Sequence, residues 1–490
     1  MRERFRIQLE LGQTAIDKVK IPKKSRDELP PVLAGLQWIY SNEEISEQIF
    51  KLLEEKVIGE KKKTGRPGMD LWHILVLGVV RLALDCDYDR LEYLAHYDKL
   101  MREIMGLETL GNEEFGKGFH QKTIRDNVSH IDEKLLEKIN KIIVKAGREE
   151  ILKKNEKIEA KADTYVVETN VHYPTDINLL WDAIRKCITL LVGLSKAVGI
   201  VGWRKSEYWL REIKGLMRLC GRINKSGGKN KEKRRKKIIK EYLERAYQLE
   251  EKIHESVKEL QQKELTVKQS LKIVEIKYFH DMLIKHIDLI DRRFIKEEKI
   301  PHEEKVFSLF ESHTNWINKG KMFPSVELGL KVLVTTDQNG IVLDYKVLEE
   351  NTGDNKETLE LANRLINEYG KHLKSLSVDK GFSDQKDREI LEEYIPEVIM
   401  PKKGRLNGTD KEREGQKRFK ALKNRHSAIE SNINSLEHHG LNRCPDKGLA
   451  GFKRYVGLGI LAYNLHRIGK HILKKQQEEL GITKEKLKAA

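Results

Sequence analysis

Cysteine is scarce in this chain. Cys86, Cys187, Cys220 and Cys444 are the only four in 490 residues, and they are scattered without Cys-x-x-Cys spacing. That argues against structural zinc or a disulfide frame. Long apolar runs are lacking too. The two richest stretches, "LWHILVLGVVRLALD" (71–85) and "CITLLVGLSKAVGIVGW" (187–203), carry His73 and Arg81 in one and Lys196 in the other. Each falls short of the roughly 20 uninterrupted apolar residues that span a bilayer, so both read as buried helices and no membrane partner is expected. The N-terminal "MRERFRIQLELGQ" has no apolar signal core, and the expected location is cytoplasmic.

Positive charge, by contrast, is in excess. Lys and Arg number 93 against 77 Asp and Glu, a formal charge of +16 at pH 7. Such an excess favours a polyanionic partner, because neutralising phosphates releases counterions. Charge alone does not separate DNA from RNA or an anionic membrane surface; the missing anchor favours nucleic acid. The length predicts two to four domains.

Residues 1–150 read as a helical N-terminal domain. "SNEEISEQIFKLLEEKVIG" opens at Ser41 with Glu44 three residues on, a capping-box pattern. "KKKTGRPGMD" (61–70) is a basic break. Such a module suits DNA binding, and equally a scaffold with a solvated charged edge. A first strand follows at 157–168, where Ile158, Ala160 and Ala162 alternate with Glu159, Lys161 and Asp163. Residues 179–300 turn helical again, interrupted by "NKSGGKNKEKRRKK" (224–237), which reads as a basic loop. It is either a solvated turn or a phosphate-contacting tip.

Strands return beyond Lys305. "KVFSLFE" (305–311) reads as a short apolar strand, and 326–350 reads as a hairpin turning at Asn339-Gly340. A helix, the strand "SLSVD", a further helix, the strand "YIPEVIM" and one long helix, "KEREGQKRFKALKNRHSAIESNINSLEHHG", complete the order. The fold class expected is a mixed α/β core in two parts, residues 151–178 and 301–490, split by a helical insertion at 179–300.

Acids at strand ends mark the chemistry. Asp379 closes its strand, where open α/β sheets bind ligands, and Asp163 lies near the end of the first strand. Glu430 sits at the border of the apolar stripe on the last helix. Two strand-end aspartates and a helix glutamate can hold two Mg²⁺ ions, hard cations that stabilise both oxygens of a phosphoryl transfer. Glu168, His172 and Asp176 crowd the same window as Asp163; the structural role, with His172 fixing the loop by hydrogen bonds, is the expected one.

Several stretches carry a resemblance: "GRPGMDLWHILVLGVVRLAL", "HQKTIRDNVSHID", "ADTYVVETNVHYPTDINLLWDAIRK", "FESHTNWINKGKMFPSVELGLKV", "SVDKGFSD" and "RHSAIESNINSLEHHGLNRCPDKGLAGFKRYVGLGILAYNLHRIG". In this order, over most of residues 60–470, they resemble bacterial insertion-sequence transposases of the DDE class, most closely the ISNCY-type group. The resemblance implies an RNase H-like core that cuts the ends of its own element and joins them to target DNA. It also implies Asp163, Asp379 and Glu430 as catalytic metal ligands for two Mg²⁺ ions, with Mn²⁺ as a substitute, and a homodimer or higher oligomer on double-stranded DNA. One departure stands out. Related groups place the third acid in a Tyr…Arg…Glu…Lys signature, whereas no tyrosine precedes Arg425 here and the seventh residue after Glu430 is Glu437. Arg425 and Lys423 are the candidate substitutes for the missing lysine, and the strand-processing route, by hairpin or otherwise, stays open. Two other functions fit the same residues: an RNase H-like nuclease that cuts without joining, and an inactive basic DNA-binding protein.

Overall fold

The computed structural model describes residues 2–5, 13–59, 68–108, 119–151, 156–225, 227–318 and 325–479. Residues 61–67 of the basic break lie outside them. The chain divides into two compact units, Met1–Asn170 with Ile317–Ala490, and Val171–Trp316.

A seven-stranded mixed sheet organises the first unit. Its strands are β1 (Ile158–Thr169), β2 (Asn315–Asn318), β3 (Val326–Thr336), β4 (Val342–Leu348), β5 (Leu373–Val378), β6 (Glu397–Ile399) and β7 (Arg443–Cys444). The order is β2-β3-β1-β5-β6, with β4 also pairing β3 and β7 also pairing β1. β3 runs antiparallel to β1 and to β4, while β5 runs parallel to β1 and β6 parallel to β5. The β3–β4 turn falls at the expected Asn339-Gly340. Asp337 Oδ1 accepts from the Asn339 and Ile341 amides at 2.8 and 2.9 Å, and Gly340 takes φ +76°, a left-handed conformation that glycine adopts without penalty.

The N-terminal helices and the sheet share one hydrophobic core. At its centre lies the helix Gly448–Glu479, packed against Leu29–Ser41, Leu71–Ala83, Glu133–Ile151 and β4. Asn464 fastens this helix to the sheet edge. Its Oδ1 accepts from the Val342 amide, and its Nδ2 donates to Val342 O and Asn140 Oδ1, all at 2.9 Å. A wholly buried amide is affordable only with its hydrogen bonds made.

The second unit has its own core, built from the helices Asp176–Val198, Ser206–Lys225, Lys231–Gln261 and Val267–Ile290. The two apolar runs are confirmed as helical: Leu71–Ala83 is almost wholly buried, and most of 187–203 belongs to Asp176–Val198. Among the described residues, no helix is long and apolar enough to cross a membrane.

Four local expectations need correction. The helix Glu43–Leu53 is capped by Asn42, whose side chain accepts from the Ile45 amide, because Ser41 still belongs to the preceding helix. The basic segment 224–237 is not mainly loop: the helix begins at Lys231, since Gly227, Gly228 and Asn230 suffice for the turn and lysine and arginine favour helix. Residues 305–311 form no strand. Ser308 Oγ accepts from the Phe310 and Glu311 amides and curls the backbone around the buried Leu309. The long last helix is three, Gly408–Gly415, Lys417–His426 and Ala428–Leu436, broken where Gln416 is extended and again at Ser427.

Where the central helix meets Leu29–Ser41, backbone presses on backbone. A Cβ on Gly469 would overlap Pro31 O, and one on Gly35 would overlap Leu465 O. Gly469→Ala is therefore expected to lower stability by about 1–3 kcal/mol, the range for overpacking. Gly215→Ala, with open space around it, should be neutral or stabilising. Thermal unfolding of the two variants checks both.

Candidate functional site

One face of the sheet is polar. On β1 the alternation places Glu159, Lys161, Asp163 and Tyr165 on a single side. Paired residues share a face, so Ser375 and Ser377 of β5, opposite Glu159 and Lys161, join them, as does Thr336 of β3 opposite Lys161. The β1–β5 ladder ends at Ala162 against Val378. Asp163 and Asp379 are the next residues on these adjoining parallel strands, whose separation is about 4.8 Å. Both are half-buried. Asp163 Oδ1 accepts from the Thr164 amide and Asp379 Oδ1 from the Gly381 amide, each at 2.7 Å.

The helices Lys417–His426 and Ala428–Leu436 lie across this face. Arg418 and Arg425 each reach Glu159 at 2.9 Å. Further along, Asn432 Nδ2 donates to Thr336 Oγ1 at 3.1 Å. Between these anchors His426 is enclosed. Burial holds its imidazole below the ordinary pKa against the opposing pull of Asp379 and Glu430, and nearby Lys161 adds to the depression. Asp379 and Glu430 thus act on one histidine from two elements. Glu430 itself is exposed in the first turn of its helix. Glu437, seven residues on, acts on Tyr165, two residues past Asp163 on the same face of β1, and adds to the burial that raises the Tyr165 hydroxyl.

Register brings the two aspartates to adjoining strands, and Asp379 and Glu430 both act electrostatically on His426, but the three carboxylates do not close into a compact donor set. Among the described residues, the groups of three donors within 4.8 Å of one another lie elsewhere. Asp379 directly follows β5, but Asp163 lies in the middle of β1, which runs on to Thr169, and not near its end as expected. The donor chemistry nevertheless fits a hard divalent ion: oxygen ligands on adjoining strands, and a third carboxylate on an exposed helix turn.

The other polar residues near Asp163 in sequence have partners of their own. His172 Nε2 lies 2.6 Å from Asp182 Oδ2 and its Nδ1 contacts Tyr173 O, which fixes the loop. Asp176 meets Arg293 at 3.0 Å, and Glu168 sits in the ladder opposite Gly329. Arg425 and Lys423 both face carboxylates, Arg425 at Glu159 and Lys423 at Glu414. Sequence reasoning missed three neighbours of the site. Lys161 is buried, with its Nζ donating to Asp337 O at 3.2 Å; only its place two residues before Asp163 could have signalled it. His426 had no separate signal. Asp354 comes to Asp379 through Gly381: a Cβ there would stand 3.0 Å from Asp379 Oδ1 and 3.1 Å from Asp354 Oδ2. Lys331 Nζ balances Asp354 at 3.2 Å.

Asn432 fixes the helix that carries Glu430. Besides its bond to Thr336, its Oδ1 accepts from Tyr463 Oη at 3.3 Å and from Arg467 at 3.1 Å. Asn432→Ala strands these buried groups, so a loss of about 1–3 kcal/mol is expected, read as a lower thermal midpoint.

Residues 289–465 match the family model of the transposase DDE domain. The matched segment contains Asp379 and Glu430 and begins after Asp163. No curated protein and no solved structure matches the chain. The family match, over the segment that supplies two of the three acids, supports a transposase of the DDE type.

Proposed function

We propose that this protein is an insertion-sequence DNA transposase of the ISNCY-type group, with an RNase H-like core that cuts the ends of its element and joins them to target DNA. The observation that carries the reading is that Asp163 and Asp379 directly follow the last paired residues of the β1–β5 ladder, in the sheet whose later strands lie in the matched family segment. Asp163, Asp379 and Glu430 would hold two Mg²⁺ ions, or Mn²⁺ in their place. Ions bound there would stabilise the attacking and leaving oxygens of phosphodiester hydrolysis and of strand transfer from the freed 3′-hydroxyl. The chain's own part is to aim these carboxylates. The strand ladder fixes the aspartates, and Asn432, Arg418 and Arg425 hold the helices that present Glu430. In this reading residues 151–178 and 301–490 make the catalytic core, 179–300 an insertion, and 1–150 the helical DNA-binding part. The working form is an oligomer on double-stranded DNA in the cytoplasm.

Incubating the protein with DNA bearing the element's ends and Mg²⁺ should give cleaved and joined products; cleavage without joining would leave a nuclease. Asp163→Asn, Asp379→Asn and Glu430→Gln should each keep DNA binding. Each should lose several kcal/mol of transition-state stabilisation, roughly 100-fold or more in cleavage rate. Glu437→Gln should retain cleavage. An active Glu430→Gln beside a dead Glu437→Gln would move the third ligand along the helix.

The helix opening at Lys231 supports a role in phosphate binding. Lys229, Lys233, Arg234, Lys237 and Lys240 are exposed around one surface hollow. Arg235 and Lys236 are instead paired with Glu232 and Glu297, each at 2.6 Å. Changing Lys233, Lys237 and Lys240 together to Gln should flatten the salt dependence of DNA binding by about 0.9 in log–log slope per lost phosphate contact. An unchanged slope would make this end of the helix a solvated surface.

A further inference from the structure

We propose that Glu28, His439 and His466 form a zinc site, separate from the three carboxylates, that ties down the turn following the helix of Glu430. One nitrogen or oxygen donor from each residue lies within 4.8 Å of those of the other two. The three come from three segments of the first unit: the residue capping the helix Leu29–Ser41, the irregular turn Glu437–Leu441, and the central helix Gly448–Glu479.

The histidines are arranged as metal ligands are. His439 is buried, and its Nδ1 lies 2.8 Å from Ala83 O. A carbonyl can only accept, so Nδ1 carries the proton and Nε2 keeps its lone pair. Metal-bound imidazoles are oriented by this kind of backbone contact on the far nitrogen. The His439 and His466 rings lie 5.0 Å apart between centroids, and His466 Nε2 meets Glu28 Oε2 at 2.6 Å. The turn holds His439 outside helical geometry, at φ −91° and ψ 33°, with Gly440 at φ +80° beside it. A helical continuation would carry the ring elsewhere.

Two imidazoles and one carboxylate suit zinc rather than magnesium, which takes oxygen ligands. Tetrahedral bonds of about 2.0–2.2 Å put ligands roughly 3.3 Å apart, so the 2.6 Å contact of Glu28 with His466 has to open to that spacing and any donors beyond it have to draw in. Glu28 is 56% exposed on its side chain and can move to do so. A cavity of about 780 Å³ opens beside the group and has room for a water as fourth ligand. Positive groups also line it. The Arg467 guanidinium is committed to Tyr463 Oη, Asn339 O and Asn432 Oδ1, while Arg26 and Lys470 flank the open side and favour an anionic or hydroxide fourth ligand.

The site stands independently of the transposase reading. Glu250, His254 and His280 of the second unit form a similar group, so binding is measured in the full chain carrying His254→Ala, untagged and stripped of metal. Co²⁺ should then give the intense visible absorption of a tetrahedral site at one equivalent. Carboxylate sites of the octahedral kind absorb weakly and do not imitate it. Zn²⁺ should displace the cobalt and raise the thermal midpoint. Glu28→Ala, an exposed change that spares the core, should weaken Zn²⁺ in chelator competition by at least the 10–100-fold typical of lost outer-shell partners, and His439→Gln should abolish the band. The proposal fails if the chain gives no tetrahedral band, or if Glu28→Ala leaves zinc affinity unchanged.

Discussion

Everything at the candidate site depends on the pairing of β1 with β5. Side chains alternate along a strand, so a slip of one residue in this ladder would send Asp163 to the opposite face while Asp379 stayed put. What prevents the slip is the contrast between the two faces of β1. Ile158, Ala160 and Ala162 are buried on one side, and Glu159 on the other is locked to Arg418 and Arg425. Moving apolar residues onto the polar side would expose them and strand the arginines together. The register is therefore set by core burial and by charge at once.

The polar face is also the reason the covering helices stay in place. A helix pair over a sheet normally docks through an apolar stripe, but Ile429 and Leu436 are supplemented here by directed bonds: two arginines at one end and Asn432 in the middle. Directed contacts fix position along the strand, which hydrophobic contact alone does not. The break at Ser427 falls between the arginine anchors and the Asn432 anchor. Glu430 lies just after that break, so its placement relative to Asp379 depends on both anchors.

Much of this was legible in the sequence, and the rest was hidden for physical reasons. Alternation revealed β1 and the β3–β4 hairpin, and Asn339-Gly340 announced its turn. Asp379 could be placed at a strand end because a glycine follows two residues later. Partners distant in sequence could not be read. Asp354 reaches Asp379 through the fold, and the burial of Lys161 depends on Asp337, 176 residues on. The long last helix was misjudged because helix propensity carries through Gln416 and Ser427; tertiary contacts made the breaks. His439 and His466 gave no spacing signal, since one lies in an irregular turn and the other on a helix. Scarce cysteine speaks against cysteine-based zinc, and says nothing of a His–Glu group assembled from three segments.

The separation of β1 from the later strands raises a question of assembly, since the whole second unit intervenes between two halves of one sheet. Closure entropy grows only slowly with loop length, and the intervening segment is not a flexible loop. It has its own buried core of four helices, so it can order itself without waiting for the sheet. Once ordered, it spans the gap as a folded body, and the chain entropy of joining β1 to β3 is that of its connecting segments, not of about 150 free residues. The same logic applies at the other end. The N-terminal helices cannot complete their core until the helix Gly448–Glu479 arrives, because the close contacts at Gly35, Gly469 and Gly147 all lie against it. The helix Gly448–Glu479 is thus the one on which the N-terminal helices, the sheet edge at Val342 and the anchor of Glu430's helix all converge. The contacts that complete the core and those that anchor the helix of Glu430 therefore meet on one element.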